Sequence, residues 1–264
     1  AKITPEEMQG VTHYMIDELE PDEEFHVVRF VTMAKEYLKE IYADGKIPII
    51  AGGTGFYIQA LLYDIDFTEQ QCDETYRRQL EDLAREHGAE YLHGILREVD
   101  PASAEAIHAN NIKRVIRALE FYHLSGKKIS EHNETERQKQ SPYNFAYFVL
   151  TDERAKLYER IDRRVDAMIE AGLVEEVKKL KSMGCSREMV SMQGLGYKEI
   201  LAYLDGGCTL EEAVYIIKRE TRHFAKRQLT WFKRERDVIW LDKQAFGYDD
   251  AAILTDMISI LEEK

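Results

Sequence analysis

Residues 218–236 carry the densest group of cationic side chains in the protein. Eight lysines and arginines stand against two glutamates there, in a chain whose formal net charge is −13. A cationic segment on an acidic protein is typical of a surface that binds a polyanion, most simply a nucleic acid. At helical spacing, Arg219, Arg222, Lys226 and Lys233 lie on a different side from the apolar positions. The alternative is a solvated basic helix face that binds no ligand.

A second basic group lies in segment 111–117, which reads NIKRVIR. Lys113, Arg114 and Arg117 occupy neighbouring helical positions beside the apolar Val115 and Ile116. Because the guanidinium fork matches phosphate oxygens in a bidentate manner, this segment is a candidate for a second polyanion contact. Ordinary surface solvation is the alternative.

Thr54 lies in a glycine turn, Gly52-Gly53-Thr54-Gly55, between an apolar run and a helical pattern. At a strand-to-helix turn of this kind, free backbone N–H groups converge on one point, which suits an anion. Thr54 adds a hydroxyl group to such a site. A purely structural turn is the alternative.

Arg160 and Arg164 are spaced one helical turn apart. Two guanidinium groups on consecutive turns are suited to clamping a diphosphate. The alternative pairs them with Asp162 and neighbouring acids. The eight histidines show no H-x-x-x-H or H-E-x-x-H spacing, and we assign none of them to a metal.

Segment 193–199 combines an amide, two glycines, an aromatic ring and a cation. Gln193 is suited to reading base edges and Tyr197 to stacking on a base. A glycine-rich entry into a helix has a similar composition, and that alternative stays open.

The elements around the glycine turn predict an α/β fold. Segment 25–44 has the periodicity of an amphipathic helix, 46–51 that of a buried parallel strand, and 56–63 that of a second helix. Helix, strand, glycine turn and helix in this order indicate a doubly wound sheet.

The middle of the chain has a different pattern. Segment 68–140 is charged and helical, with its strongest helices at 73–87 and 101–124, and we expect it to be an all-helical insertion between 1–67 and 141–264 of the α/β core.

Strand patterns return at 143–150 and 237–241. Between them we predict a helix capped by Thr151, and a long basic helix opened by the capping box that begins at Thr209.

Composition restricts the class of protein and the cell compartment in which we expect it. The 264 residues are 44% hydrophobic and 32% charged, as in a folded globular protein, and no apolar run is long enough to span a membrane. Cys72, Cys185 and Cys208 are far apart, odd in number and lack C-x-x-C spacing. We therefore expect neither a disulfide framework nor zinc, and a reducing cytoplasm as the location.

Four stretches together resemble the bacterial type of the tRNA dimethylallyltransferase (tRNA isopentenyltransferase) family. They are residues 47–57 (IPIIAGGTGFY), 111–120, 193–199 and 225–232 (AKRQLTWF), and they occur in the family's order. The resemblance implies a prenyltransferase that moves a dimethylallyl group from dimethylallyl diphosphate to N6 of the adenosine at position 37, just 3′ of the tRNA anticodon. It also implies a P-loop-kinase-like parallel sheet flanked by helices, with a helical insertion that contacts tRNA.

The resemblance also implies roles for individual residues. Thr54 would act in catalysis and hold the adenosine, and Arg160 and Arg164 would bind the diphosphate with help from Mg²⁺ and no organic cofactor. The implied tRNA contacts are Thr54, Arg77, Lys113, Arg114, Val115, Ile116, Arg117, Gln193, Gly194, Leu195, Gly196, Tyr197, Lys198, Lys226, Arg227, Gln228, Trp231, Lys233 and Arg234. The expected partners are the tRNA anticodon stem-loop and dimethylallyl diphosphate, with no membrane, and we expect a cytoplasmic monomer.

One family element does not occur in these residues. Similar proteins begin with a phosphate-cradling loop, G-x-T-x-x-G-K-[ST], and a general-base aspartate follows it. No G-x-x-x-x-G-K-[ST] occurs in the 264 residues. We therefore expect about fifty residues of such a protein to precede Ala1, and this segment alone to be inactive.

Two other classes of protein remain open from the residues. A nucleotide or small-metabolite kinase on a P-loop scaffold would explain the sheet and the arginines, but not the basic helix. A non-catalytic RNA-binding module would explain the cations without chemistry.

Overall fold

The computed structural model describes residues 3–67 and 73–263, which form two compact units. The first unit combines Ala1–Ile58 with Asn144–Lys264, and the second is Gln59–Tyr143. The expected domains 1–67, 141–264 and 68–140 stay a prediction, and their boundary at residue 68 lies outside the described residues. Cys72 lies outside them as well, whereas Cys185 is buried and Cys208 is partly buried.

The described residues form twelve α-helices, one 3₁₀ helix at Val190–Gln193 and two strands. In chain order they are α1 Val27–Ala43, α2 Gly55–Leu62, α3 Glu74–His87, α4 Ala89–Val99, α5 Pro101–Ala106, α6 Ile112–Ser125, α7 Ile129–Gln138, β1 Tyr147–Thr151, α8 Arg154–Glu170, α9 Leu173–Ser182, α10 Tyr197–Leu204, α11 Leu210–Phe232, β2 Val238–Asp242 and α12 Asp250–Glu262. None of these helices is both long and apolar enough to cross a membrane.

The predicted α/β class is confirmed by a small parallel sheet in the first unit. Strands β1 and β2 pair in parallel, with Tyr147 opposite Val238 and Thr151 opposite Asp242. The predicted strands at 143–150 and 237–241 are therefore present, each displaced toward its C-terminal end. Helices α8–α11 supply the long crossover that a parallel pair requires.

The predicted strand at 46–51 is wrong. No strand is assigned there, and the side chains of Ile47 and Ile49 are 87% and 89% exposed. A strand of a parallel sheet is buried on both faces, and this segment has no paired neighbour among the described residues. An apolar composition alone does not make a strand where no ladder forms.

Helix α1 confirms the predicted helix at 25–44. It buries Val31, Ala34 and Leu38, and the chain leaves it at Gly45 with φ of 67°, a left-handed conformation that favours glycine.

The prediction that Thr151 caps the next helix is wrong. Thr151 is the last residue of β1, and the residue before α8 is Glu153, which forms no side-chain cap. Threonine is a common N-cap residue, but here Thr151 pairs with Asp242 and is part of the sheet.

The predicted capping box of the long helix is confirmed. The Thr209 hydroxyl accepts the backbone N–H of Glu212 at 3.2 Å, and the Glu212 carboxylate accepts the N–H of Thr209 at 2.8 Å. From this start, α11 packs on α8 and α10 over a core that includes Val165, Ile200 and Ile217.

Helices α3–α7 build the second unit around Leu80, Leu92, Leu96, Val115 and Leu119. The single helix predicted at 101–124 is two helices, α5 and α6, separated by the turn at 107–111. The described residues of this unit contain no strand.

Candidate functional site

The glycine turn lies against α11 in the first unit. The side-chain amide of Gln228 donates a hydrogen bond to the backbone carbonyl of Gly53 at 2.9 Å. A Cβ atom on Gly53 would overlap that amide. A side chain at position 53 would therefore require the Gln228 amide to move from its hydrogen bond.

Trp231 packs on the other side of the same turn. A Cβ atom on the buried Gly55 would overlap the pyrrole edge of the Trp231 indole. The Phe56 ring meets the indole edge-on, with centroids 6.1 Å apart and an interplanar angle of 76°. From α1, the Phe30 ring lies 5.0 Å from that of Tyr57, so two helices fix the start of α2.

Thr54 lies between these two contacts and is exposed. Its backbone carbonyl accepts the N–H groups of Tyr57 at 2.9 Å and Ile58 at 3.2 Å, which makes it the residue that opens α2. Its hydroxyl forms no hydrogen bond within the part of the chain that the structure describes. The turn thus presents one unused hydroxyl from a fixed backbone.

The basic segment 218–236 is neutralised in its first half by α8. Lys218 pairs with Asp166 at 2.6 Å, and Arg222 donates to both carboxylate oxygens of Asp162 at 2.6 and 2.8 Å. Arg219 pairs with its neighbour Glu220 at 2.8 Å. Each of these three cations thus already has an acidic partner within the protein.

The second half of the segment keeps its charge. Lys226, Arg227, Lys233 and Arg234 are exposed, and none of them forms an ion pair with any described residue. Arg227 lies over the Phe224 ring, 5.7 Å from its centroid. The fold thus leaves these four cations exposed and without an acidic partner among the described residues.

Glu235 lies at the end of this segment, beside Trp231. Burial raises the pKa of its carboxyl above the usual value, against the opposing effects of the Trp231 indole N–H and the Arg236 charge.

Arg160 is engaged within the protein. Its guanidinium pairs at 2.9 Å with Asp152, whose side chain is 1% exposed. The Tyr248 hydroxyl donates to the other oxygen of Asp152 at 3.0 Å and accepts from Lys156 at 2.7 Å. The internal-pairing alternative is therefore the observed one for Arg160, although the partner is Asp152 and not Asp162.

Arg164 differs from Arg160. It is exposed and forms no ion pair among residues 3–67 and 73–263. Within the same ranges, no three His, Cys, Asp or Glu side chains are grouped so that they could hold a metal ion.

Segment 193–198 is used largely to start α10. Gly196 has φ of 100° and donates its N–H to Glu199 at 2.9 Å, and the Gln193 amide donates to the carbonyl of Arg187. Burial and a 2.6 Å hydrogen bond to Glu176 raise the pKa of Tyr197 to about 12. These contacts favour the helix-entry alternative, and Lys198 is partly buried and pairs with Glu199 at 3.6 Å.

Helix α6 presents Lys113, Arg114 and Arg117 to solvent in the second unit. Val115 and Ile116 are 0% and 5% exposed and belong to the core of that unit. A buried side chain offers an RNA no surface, so the predicted contact is corrected for these two to a packing role. They hold the helix that displays the three cations.

Arg77 also has an internal partner. Its guanidinium donates to both carboxylate oxygens of the buried Glu120, at 2.8 Å each. Glu120 was not anticipated, because no charge spacing in the sequence marks it as the partner of Arg77.

The acids of α8 could have been found from spacing. Asp162 and Asp166 are one turn apart on α8, as are Lys218 and Arg222 on α11. Such matching four-residue steps of opposite charge favour two helices that pack side by side.

Comparisons with known proteins agree with this architecture. A model of the IPP transferase family matches residues 1–235. The tRNA dimethylallyltransferase of Lachnoclostridium phytofermentans is 64% identical over 264 residues, covering 100% of this chain and 84% of that protein. That of Acetivibrio thermocellus is 51% identical over 253 residues, covering 96% of this chain and 81% of that protein.

Solved structures give the same result. The full-length tRNA isopentenylpyrophosphate transferase of Bacillus halodurans is similar with a TM-score of 0.64 at 45% identity, over 91% of this chain and 75% of that one. A tRNA isopentenylpyrophosphate transferase of Staphylococcus epidermidis is similar with a TM-score of 0.69 at 39% identity, over 99% of this chain and 84% of that one. With the family model matching residues 1–235, the chain belongs to the IPP transferase family.

Proposed function

We propose that the protein transfers a dimethylallyl group from dimethylallyl diphosphate to N6 of the adenosine at position 37 of tRNA, next to the anticodon. The observation that carries this proposal is the contact between the glycine turn of Thr54 and α11, the helix that also displays four unpaired cations. An exposed hydroxyl and an exposed cationic surface thus belong to two elements that contact each other. The relatives named tRNA dimethylallyltransferase support the same reaction.

The tRNA backbone would be held by cations that the fold leaves unpaired. In the first unit these are Lys226, Arg227, Lys233 and Arg234, and in the second they are Lys113, Arg114 and Arg117. Lysine and arginine contacts to phosphate position a nucleic acid and make its binding dependent on salt.

The target adenine has to leave its stack to react. Thr54 would meet it, because its hydroxyl is exposed at the start of α2. The hydroxyl both donates and accepts, so it suits an exocyclic amine or a ring nitrogen of the base.

The chemical step replaces one bond with another. The bond between the allylic carbon and the diphosphate oxygen breaks, a bond from N6 to that carbon forms, and N6 loses a proton. Positive charge on an allyl group is delocalised, so neutralising the departing diphosphate lowers the barrier. We assign that neutralisation to Arg164, with Arg160 contributing only if it exchanges its pairing with Asp152.

Three further points are part of the proposal. Mg²⁺ would arrive with the diphosphate, since this ion needs only one or two protein carboxylates when phosphates supply the other ligands. The described residues do not by themselves form a metal cage, so we derive no step through the metal. A cytoplasmic monomer is proposed for the same reaction.

The decisive experiment supplies the intact protein with labelled dimethylallyl diphosphate or labelled ATP, with and without tRNA. Transfer of the allyl label to tRNA supports the proposal. Phosphoryl transfer from ATP would indicate a kinase, and tRNA binding without any transfer would indicate an RNA-binding module. Either of these two results overturns it.

A further inference from the structure

Gln228 and Trp231 occupy successive turns of α11, three residues apart, and both face the glycine turn. Gln228 holds the carbonyl of Gly53, and Trp231 covers the buried backbone of Gly55. The two contacts therefore fall on the residues immediately before and after Thr54. One face of a helix grips the turn from both sides.

One N–H of the Gln228 amide is already in use. Its amide N–H is bonded to Gly53 at 2.9 Å, and its side chain is partly buried. The Trp231 indole is likewise partly buried, with one edge on Gly55 and a second contact to the Phe56 ring. Both side chains are partly buried against the turn, unlike the exposed Lys226 and Lys233 on the same helix.

The turn needs such support because its own structure is weak. The segment before it, 46–54, forms no helix or strand. At Thr54, only the backbone carbonyl is held by hydrogen bonds, which it accepts from the N–H groups of Tyr57 and Ile58. Without a contact on Gly53, the backbone that precedes Thr54 would be free to rotate and would move the hydroxyl.

We propose that Gln228 and Trp231 are positioning residues for Thr54, acting through Gly53 and Gly55 rather than through contact with RNA. The proposal rests on the proposed function, in which Thr54 meets the substrate. It divides α11 into a face that orients the catalytic turn and a face, with Lys226 and Lys233, that meets the tRNA backbone.

The test is a double-mutant cycle between Gln228→Ala and Thr54→Ala in the intact protein. We expect Gln228→Ala to lower kcat about tenfold, because a displaced reactive group costs rate more than affinity. The Kd for tRNA and its salt slope should stay unchanged. The effects should not be additive, because once Thr54 is truncated there is no hydroxyl left to position.

Trp231 supplies the conservative rescue. Trp231→Phe keeps a ring against Gly55 and should retain most of the activity that Trp231→Ala loses. Thr230→Ala is the matched control, since this exposed residue lies between Gln228 and Trp231 and bonds only its own helix, at the Lys226 carbonyl. Thermal unfolding of every variant separates lost positioning from lost folding. Gln228→Glu keeps the size of the side chain but places a carboxylate against the Gly53 carbonyl. We expect its kcat to fall as that of Gln228→Ala does.

Each outcome decides the question. Additive losses, with a weaker tRNA Kd and a smaller salt slope for Gln228→Ala, would make Gln228 an RNA contact and overturn the positioning role while leaving the proposed reaction intact. Full activity of Thr54→Ala would overturn the role of Thr54 and the positioning proposal together. A failure of the proposed function itself is distinct, because the unmodified protein would then transfer no allyl label.

Discussion

The guanidinium of Arg77 on α3 is held by both carboxylate oxygens of Glu120 on α6, at 2.8 Å each. Arg77 is 42% exposed and Glu120 is 2% exposed, so the pair joins a surface cation to a buried acid. Helix α6 carries the exposed Lys113, Arg114 and Arg117 on its other positions. The pair therefore fixes the helix that presents them, whichever groups Arg77 itself contacts in a complex.

Replacing Arg77 by Ala should destabilise the second unit. It leaves the buried carboxylate of Glu120 without this partner, and breaking a fully buried pair costs about 3–5 kcal/mol. Because Arg77 is partly exposed and solvent screens it, we expect about 1–3 kcal/mol in the free energy of unfolding from denaturant titration.

Arg78 is the matched control for this prediction. It pairs with Glu74 at 3.4 Å, with both side chains at least 75% exposed. Arg78→Ala should cost under about 0.5 kcal/mol. Equal losses for the two variants would show that the Arg77–Glu120 pair adds nothing to the free energy of unfolding. In that case, weaker tRNA binding by Arg77→Ala would indicate a direct contact between Arg77 and the tRNA.

The cations of α11 should fall into two classes. Lys226→Ala and Lys233→Ala should each weaken tRNA binding and reduce the slope of log K against log salt by about 0.7–0.9, because each removes one unpaired charge from the phosphate surface. Arg222→Ala and Lys218→Ala should leave the slope unchanged and lower stability, since their partners are Asp162 and Asp166. The measurement is tRNA binding over a salt series, and one common slope for all four variants would contradict the division.

The basic face of α6 gives a separate binding prediction. Arg114→Ala and Arg117→Ala together should weaken tRNA binding and flatten its salt dependence, with little change in the affinity for the diphosphate substrate. Arg85 in the same unit is a suitable control, because it is exposed and already paired with Asp82 at 2.8 Å. An unchanged slope for the double variant would remove α6 from the RNA surface.

Glu235 predicts a dependence of stability on pH. Its folded-state pKa is raised, so between the unfolded value near 4.5 and the raised value the folded state binds more protons than the unfolded state. Stability contributed by this group is present below that window and falls as the pH rises through it. Glu235→Gln should therefore remove part of this decline. Compared with the parent protein, the variant should be more stable at neutral pH and should lose that advantage in acid.

Glu220 provides a control of opposite sign for that measurement. Its pKa is lowered, first by the Arg219 hydrogen bond, so its contribution is lost as the pH falls. Unfolding titrations of Glu235→Gln and Glu220→Gln from acid to neutral pH should deviate from the parent in opposite directions. Parallel curves for Glu235→Gln and the parent would contradict the raised pKa.

The sequence by itself determined the α/β class, the approximate limits of α1, α2 and α3, the start of α11, and the family. Periodicity places α1, α3 and α11 to within a few residues, because an amphipathic face and a capping box are local properties. The four family stretches were recognisable because residue identity and order need no coordinates. The same reasoning failed at 46–51, where strand formation depends on a neighbour and not on composition.

Only the tertiary structure decided which of the predicted site residues are available. The sequence offers no reason to separate one group of cations, Arg160, Lys218 and Arg222, from another, Arg164, Lys226 and Lys233. In the structure, the first three are paired with Asp152, Asp166 and Asp162. The glycines of the turn likewise reveal their purpose only when Gln228 and Trp231 are seen against them, 175 residues along the chain in the case of Gln228. Charge pairing and close approach are properties of two distant segments at once, and a linear pattern carries information about only one of them.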